Sequence, residues 1–433
     1  MQLTIGKLVY GGDGLARLPA DEHGPGKAVF VPFVLEGETI EASIVEQKRG
    51  FSRGRAEATL QASAHRVEPP CPYFERCGGC QYQHIRYEHQ LEIKAAILKE
   101  TLRRTAKLEL ETEITIHPSP PWNYRNRSRL QVRTTPEFAL GYYKFNSHEV
   151  LPVEQCPVSS PLINRAISTF WQMGRARSFP EGVREIEFFV NAEDTELLIE
   201  ASCEPWMPST PIREWADAAW RTLQEITGLV VYKTAASREG KRVEPKRIAT
   251  SGSEEINYGV NGVSYRVSAG SFFQINRYLI DELVSIVCQQ DGGDVALDLY
   301  AGVGLFSTLL SRRFAQVIAV ESSQTSHLDL LHNSPANVKA VRVTTADFVR
   351  TAKGKLQPDL VVVDPPRSGL GETVVQSLVG LGAHQMTYIS CDPATASRDL
   401  VGLLSAGYRI EQVHLVDLFP QTFHLESVFH LAR

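Results

Sequence analysis

Residues 295–311 read VALDLYAGVGLFSTLLS. An apolar run, Val295 to Tyr300, leads into a turn carrying Gly302 and Gly304, then into a stretch with helical spacing of apolar residues. A strand, a glycine turn and a helix start in that order let the backbone approach a nucleotide-like ligand closely. Working outward, VALDLY, QVIAVE, AVRVTT, DLVVVD, MTYIS, YRIEQVHLVDLF and SVFHLA are apolar runs separated by helical segments. That alternation predicts an α/β, Rossmann-like fold: a mostly parallel sheet with helices on both faces.

The turn alone leaves the ligand open. Ser307 stands where a dinucleotide fingerprint has a small Gly or Ala, and Glu321 closes the next strand, where a carboxylate can bind both hydroxyls of a ribose. Either NAD or S-adenosylmethionine fits. The stretch DLVVVDPPRSGL narrows the choice, because Asp364 is followed by two prolines that stiffen the loop and deny it a helix. A rigid Asp-Pro-Pro loop at the end of this strand suits a flat base as substrate and favours S-adenosylmethionine.

Next comes YISCDPATASRDL, Tyr388 to Leu400, which sets Cys391 at the end of an apolar run among polar residues. Methylation of an exocyclic amine has no use for a thiol. Carbon 5 of a pyrimidine does, because it becomes nucleophilic only after something adds at carbon 6, and a thiolate adds well. The carbon 5 proton must then be removed by a base, and Glu426 in QTFHLESVFHLAR is the carboxylate available at a strand start. A free thiol titrates near about 8.5, so the site has to favour the anion or deprotonate it on attack; Arg398 and His424 are the expected helpers.

The chain has 433 residues, 43% of them hydrophobic, and a net charge of -5. It is long enough for about two or three domains. It has neither the roughly 18-residue apolar run of a membrane span nor a signal-peptide start, so a soluble cytoplasmic protein is expected. Residues 1–62 read as short strands divided by glycine turns, a small SH3-like or OB-like β-barrel in which Phe30 and Phe51 lie beside basic residues, the combination a strand-binding barrel would use. A helix over Tyr87 to Thr105 and a β-rich middle follow. In NYRNRSRLQV, residues 123–132, and the next residue, Arg125, Arg127, Arg129 and Arg133 alternate onto one face and are candidates for phosphate contact; ion pairing within the sheet is the competing reading. Of the seven cysteines, Cys203 and Cys288 read as packed thiols, whereas Cys71, Cys77 and Cys80 cluster. With His84 those three can make a Cys3His zinc site.

DLYAGVG, DPPRSG, SCDPATASRD and HLESV together resemble the RNA (uracil-5-)-methyltransferases, which make 5-methyluridine in ribosomal or transfer RNA; the resemblance covers about residues 260 to 433. It implies a class I S-adenosylmethionine methyltransferase domain with Cys391 as nucleophile and Glu426 as base. It also implies cofactor and substrate contacts from Gln274 of SAGSFFQIN, Tyr300, Glu321, Asp347 and Asp364 around Gly302 and Gly304. Leu305 departs from the pattern, since some members carry asparagine there. The opening barrel resembles the RNA-binding TRAM domain. CPYFERCGGCQYQH resembles the family's iron-sulfur motif, whose fourth thiolate here is Cys156 of LPVEQCPV, a set that suits a 4Fe-4S cluster in place of zinc. The expected organisation is a barrel over 1–62, a central α+β domain with the cluster over 63–258 and a catalytic domain over 259–433. The expected partner is RNA, with 23S ribosomal RNA favoured over transfer RNA, and a monomer suffices.

Overall fold

The computed structural model describes residues 1–19, 26–234 and 246–433. The chain opens with β1 (Gln2–Thr4), β2 (Lys7–Leu8), β3 (Asp13–Arg17), β4 (Ala28–Pro32), β5 (Thr39–Gln47) and β6 (Phe51–Gln61), in the sheet order β1-β5-β6-β4-β3-β2. Alternate residues turn inward, and Leu3, Ile5, Val29, Val31, Ile40 and Ala42 form a small core of their own. The opposite parity leaves Phe30 and Phe51 outside, edge to face with centroids 5.5 Å apart. Fully buried Glu38 accepts hydrogen bonds from the Leu35 and Ser63 amides and from Arg66, fastening the exit of the barrel.

Helix α1 (Tyr87–Thr101) follows, continued by one π-helical turn over Leu102–Ala106 that ends at Lys107 with φ 54°. Strand β7 (Ile114–His117) comes next. The expected division at residues 63 and 259 does not follow these elements. Ile93, Ile97, Leu98 and Ile114 belong to the same core as Leu299, Val363 and Tyr388, and β7 is the edge strand of the catalytic sheet. A four-residue strand whose partner lies some 300 positions on carries no local mark of its pairing.

The middle sheet comprises β8 (Arg127–Arg133), β9 (Ala139–Tyr143), β10 (Val150–Pro152), β11 (Val183–Val190), β12 (Leu197–Cys203), β13 (Ile226–Lys233) and β14 (Lys246–Gly252), in the order β10-β9-β8-β11-β12-β13-β14. Helices α2 (Pro161–Arg175) and α3 (Ser209–Trp220) pack on it through Leu162, Ile163, Phe170, Ile212 and Trp215. Cys203 lies buried in this core. The hairpin of β15 (Glu255–Val260) and β16 (Val263–Ser268) turns at Asn261-Gly262, with φ 49° and 73°. Both central residues of a tight I′ turn require positive φ, which Asn and Gly tolerate best.

The catalytic sheet is built from β17 (Gly293–Leu299), β18 (Phe314–Glu321), β19 (Val338–Arg342), β20 (Leu360–Val363), β21 (Gln385–Ser390), β22 (Arg409–Val416) and β23 (Glu426–Ala432). Between them run α4 (Ile280–Val287, before β17), α5 (Leu305–Leu310), α6 (Gln324–Asn333), α7 (Thr345–Ala352), α8 (Glu372–Val379) and α9 (Pro393–Ser405). The order is β19-β18-β17-β20-β21-β23-β22-β7, with β23 antiparallel to both of its neighbours and every other pair parallel. β20 is buried on both faces, which explains its unbroken LVVV. The chain leaves β17 for β18 and β19 on one side and returns to β20 on the other. The crevice beyond the carboxyl ends of β17 and β20 is therefore the switch point where such sheets bind ligands.

Candidate active site and cysteine pocket

The glycine turn lies at that switch point. Tyr300, Gly302 and Gly304 all have positive φ (64°, 55° and 92°), which folds the backbone back over the end of β17. The Gly302 amide donates to Glu321 Oε2 at 2.9 Å, and the Ser323 amide donates to Oε1 at 2.6 Å, so the carboxylate ending β18 is held against the turn. Ser307 is explained by Asp298, whose buried carboxylate accepts a hydrogen bond from its hydroxyl. Leu305 is 7% exposed and packs into the core beneath the turn, so the position contributes no polar side chain to the crevice. Across the crevice, Gln274 Nε2 approaches Asp364 Oδ2 at 3.4 Å. Asp347 stands apart, because its carboxylate accepts from the Thr344 hydroxyl and from Arg350 at the first turn of α7.

Cys391 and Glu426 meet through strand register. The last antiparallel pair between β21 and β23 is Ser390 with Ser427, so the next residue on each strand is Cys391 on one and Glu426 on the other. Such opposed positions are within side-chain contact. Asp392 caps α9 by accepting from the amides of Ala394 and Thr395, which fixes the loop that carries the thiol. Burial, then the nearby Glu426 and Asp364 carboxylates, push the Cys391 thiol up to about 12, with Arg367 opposing. Burial and Asp364 raise Glu426 well above the usual carboxylate range, again opposed by Arg367. Burial, then Asp298, raises Asp364 to about 7. Three acidic groups thus crowd one pocket with a single arginine felt by both Cys391 and Glu426.

Neither expected helper fills that role. Arg398 is bound to Asp399 and to the Ser368 carbonyl. His424 is lowered to about 3 by burial and by Arg367, whose guanidinium lies 3.4 Å from its ring nitrogens, and is neutral near pH 7. The cation is Arg367, inside the DPPRSG stretch but passed over because its direction depends on the loop. A second residue that sequence reading missed is Tyr10, whose hydroxyl donates to the Cys391 carbonyl at 3.1 Å from across the barrel.

The candidate phosphate strand is also corrected. Arg127 pairs with Glu187 at 3.4 Å, donates to the Ser271 carbonyl and lies 4.1 Å from the Phe189 ring centroid. Arg129 pairs with Glu187 at 2.8 Å and with Glu185 at 3.5 Å. Both arginines are neutralised by β11, which lies beside β8. Arg125 precedes β8 and points inward. Arg133 donates to the Glu137 carbonyl.

Arg125 leads to the cysteines. Cys71, Cys77, Cys80 and Cys156 line one cavity together with Tyr73, Phe74 and Arg125. The Gly79 amide donates to Cys77 Sγ. Burial raises Cys77 to about 11 and Cys80 to about 12. His84 is not part of this lining; its Nε2 faces the Val34 carbonyl, and burial lowers it to about 3. The Cys3His arrangement is thereby overturned, and no group of His, Cys, Asp and Glu has the spacing of a single-ion site among the described residues. Four thiols lining one cavity suit a metal centre held by four thiolates, and Arg125, whose buried Nε has no partner, would offset the negative charge of such a set.

Comparison with known proteins names the chemistry. A family model described as tRNA (uracil-5-)-methyltransferase matches residues 86–433. The chain belongs to this family of uracil-5 RNA methyltransferases. It is accordingly an enzyme, a transferase that uses S-adenosylmethionine. It is 32% identical over 444 residues to an uncharacterized RNA methyltransferase of Aquifex aeolicus, covering 99% of this chain and 97% of that one. A second relative, from Caldanaerobacter subterraneus, is 29% identical over 454 residues, covering 100% and 98%. Among solved structures, the Pyrococcus abyssi tRNA (uracil-54, C5)-methyltransferase in complex with S-adenosyl-L-homocysteine shares the fold, with a TM-score of 0.75 at 23% identity and full coverage of both chains. No helix among the described residues is long and apolar enough to cross a membrane.

Proposed function

We propose that the protein methylates carbon 5 of one uridine in RNA, with Cys391 attacking carbon 6 and Glu426 removing the carbon 5 proton. The observation that supports this most directly is the placement of Cys391 and Glu426 at the same end of two paired strands, beside the switch point. Attack moves the sulfur lone pair to carbon 6 and makes carbon 5 enolate-like. Carbon 5 then takes the methyl group from S-adenosylmethionine, releasing S-adenosylhomocysteine; Glu426 accepts the carbon 5 proton, and the electrons of that bond re-form the carbon 5–carbon 6 double bond and expel the Cys391 thiolate. Cys391 rests as a thiol, so its proton passes to solvent as it attacks and is regained from solvent once the thiolate is expelled. Glu426 has to be ionised by the elimination step, and Arg367 is the group that favours that form.

Glu321, Gly302 and Gly304 bind the ribose side of S-adenosylmethionine, with Gln274, Tyr300 and Asp364 lining the crevice and Asp347 at the adjoining helix start. Cys71, Cys77, Cys80 and Cys156 hold a 4Fe-4S cluster that cross-links the cysteine loop to the middle sheet; methyl transfer needs no electron from it. The barrel binds RNA as a TRAM domain. The favoured target is 23S ribosomal RNA, on the combination of barrel and cysteine pocket, and the enzyme works as a cytoplasmic monomer. Transfer RNA is the second reading, supported by the description of the family and of the Pyrococcus protein.

Mass spectrometry of nucleosides from separated ribosomal and transfer RNA, with and without the protein, tests the reaction and the target together. Loss of 5-methyluridine from one fraction names the RNA. Cys391→Ala abolishes turnover and the covalent adduct with 5-fluorouracil-substituted RNA, whereas Glu426→Gln accumulates an adduct on ordinary RNA. Normal turnover in either variant overturns the assignment.

A further inference from the structure

We infer that the cleft between the barrel and the catalytic residues is a subsite for one unpaired nucleotide adjacent to the target uridine in the RNA strand. The inference rests on the uridine methylation proposed above. The cleft encloses about 660 Å³, inside the roughly 300–1,000 Å³ range of sites that enclose small ligands. Tyr10, Phe30, Phe51, Phe145 and Phe423 line it with Arg53. All five rings are only partly buried, so aromatic surface remains for a base to stack on.

Its position gives the cleft its meaning. The Tyr10 hydroxyl donates to the Cys391 carbonyl, and its ring meets Phe423 edge to face with centroids 5.5 Å apart. Phe423 packs on His424 at 4.1 Å, in the loop that delivers Glu426. The cleft therefore begins where the catalytic pocket ends, and a strand presenting its uridine to Cys391 lays its neighbouring nucleotide against these rings. Arg53 brings a guanidinium to the cleft, shared with two carboxylates at longer range than the 2.8 Å Arg129–Glu187 pair. Its guanidinium lies 5.9 Å from the Phe51 centroid and is 46% exposed, with its acidic partners Asp13 and Glu46 at 3.6 and 3.4 Å. Lys48 lies over the same ring at 5.8 Å and pairs with Glu46 at 3.1 Å. A stacking ring flanked by cations is how proteins grip single strands. Asp13, Gln81 and Asn146 add polar groups for a base edge.

The competing role is packing of the barrel onto the catalytic core, and the test separates the two. The full chain and its Phe51→Ala and Arg53→Gln variants are assayed on a transcript spanning the mapped uridine, and on the same transcript made abasic at either neighbour. Phe51→Ala raises the KM for RNA roughly five- to 150-fold, the span expected for stacking of one base, and leaves S-adenosylhomocysteine binding unchanged. Arg53→Gln raises KM and lowers the salt slope of RNA binding by about one. Removing one of the two neighbouring bases reproduces the Phe51→Ala penalty, and the combination costs no more than either alone. Fully additive losses, or a lowered melting temperature with unchanged KM, overturn the subsite. Should Phe51→Ala fail to fold, Arg53→Gln and the abasic transcripts decide. Failure of the uridine reading is visible separately, because the wild-type enzyme then forms no 5-methyluridine in any RNA.

Discussion

Asp364 and Asp298 hold protons that an exposed carboxylate would release. Burial raises Asp298 to about 6, and burial followed by Asp298 raises Asp364 to about 7. In the unfolded chain both titrate near about 4, so between that pH and the folded values the native state binds more protons. Their stability contribution is complete below about pH 4 and is lost as pH rises through about 6 to 7. Asp364→Asn therefore flattens the fall of melting temperature across that window and raises it at about pH 8; an unchanged slope overturns the argument. Cys391, Glu426, Gly302 and Glu321 were legible because each ends or begins an apolar run beside unusual polar neighbours. Arg367 and Tyr10 were not, because neither carries a local sign of what it faces.

The link between α1 and the loop before β23 is a buried ion pair. Lys94 Nζ donates to Asp417 Oδ1 at 2.6 Å with both side chains wholly inaccessible, and also to the Phe419 carbonyl. Tyr87 donates to the other Asp417 oxygen. Removing one partner leaves an uncompensated buried charge, so Lys94→Met destabilises the protein by about 3–5 kcal/mol in urea unfolding, and adding Asp417→Leu recovers most of it. An additive double variant contradicts this reading. Lys94 stands among the basic residues of a helix rich in charge, and nothing local marks it as the one that is buried. The strands β17 to β23 were legible as apolar runs because a sheet covered on both faces tolerates little else.

Three sheets share their boundaries across the molecule. The barrel touches the nucleophile through Tyr10, and the cysteine loop is tied to the middle sheet where the Gly78 amide meets the Tyr143 carbonyl. Cys156 is the far member of the thiol set, so if the four thiols hold the proposed 4Fe-4S cluster, Cys156→Ser lowers iron content from roughly four per chain towards none. It also lowers the melting temperature, while folded enzyme keeps its methyl transfer. Full iron content in Cys156→Ser, measured with a ferrous chelator, removes that residue from the set.

The sequence by itself determined the α/β class and the strand-glycine turn-helix at Gly302 and Gly304, and it marked Cys391, Glu426 and the cluster Cys71, Cys77 and Cys80 as candidates, because each is written in residues close together or in a motif whose chemistry has few uses; Cys156 came only with the family resemblance. Tertiary structure alone decided the rest. It placed β7 and α1 with the catalytic sheet, paired Arg127 and Arg129 with carboxylates of β11, set His84 away from the thiols and brought Tyr10 to Cys391. Each depends on partners tens to hundreds of residues apart, and side-chain direction and burial exist only after the chain has packed.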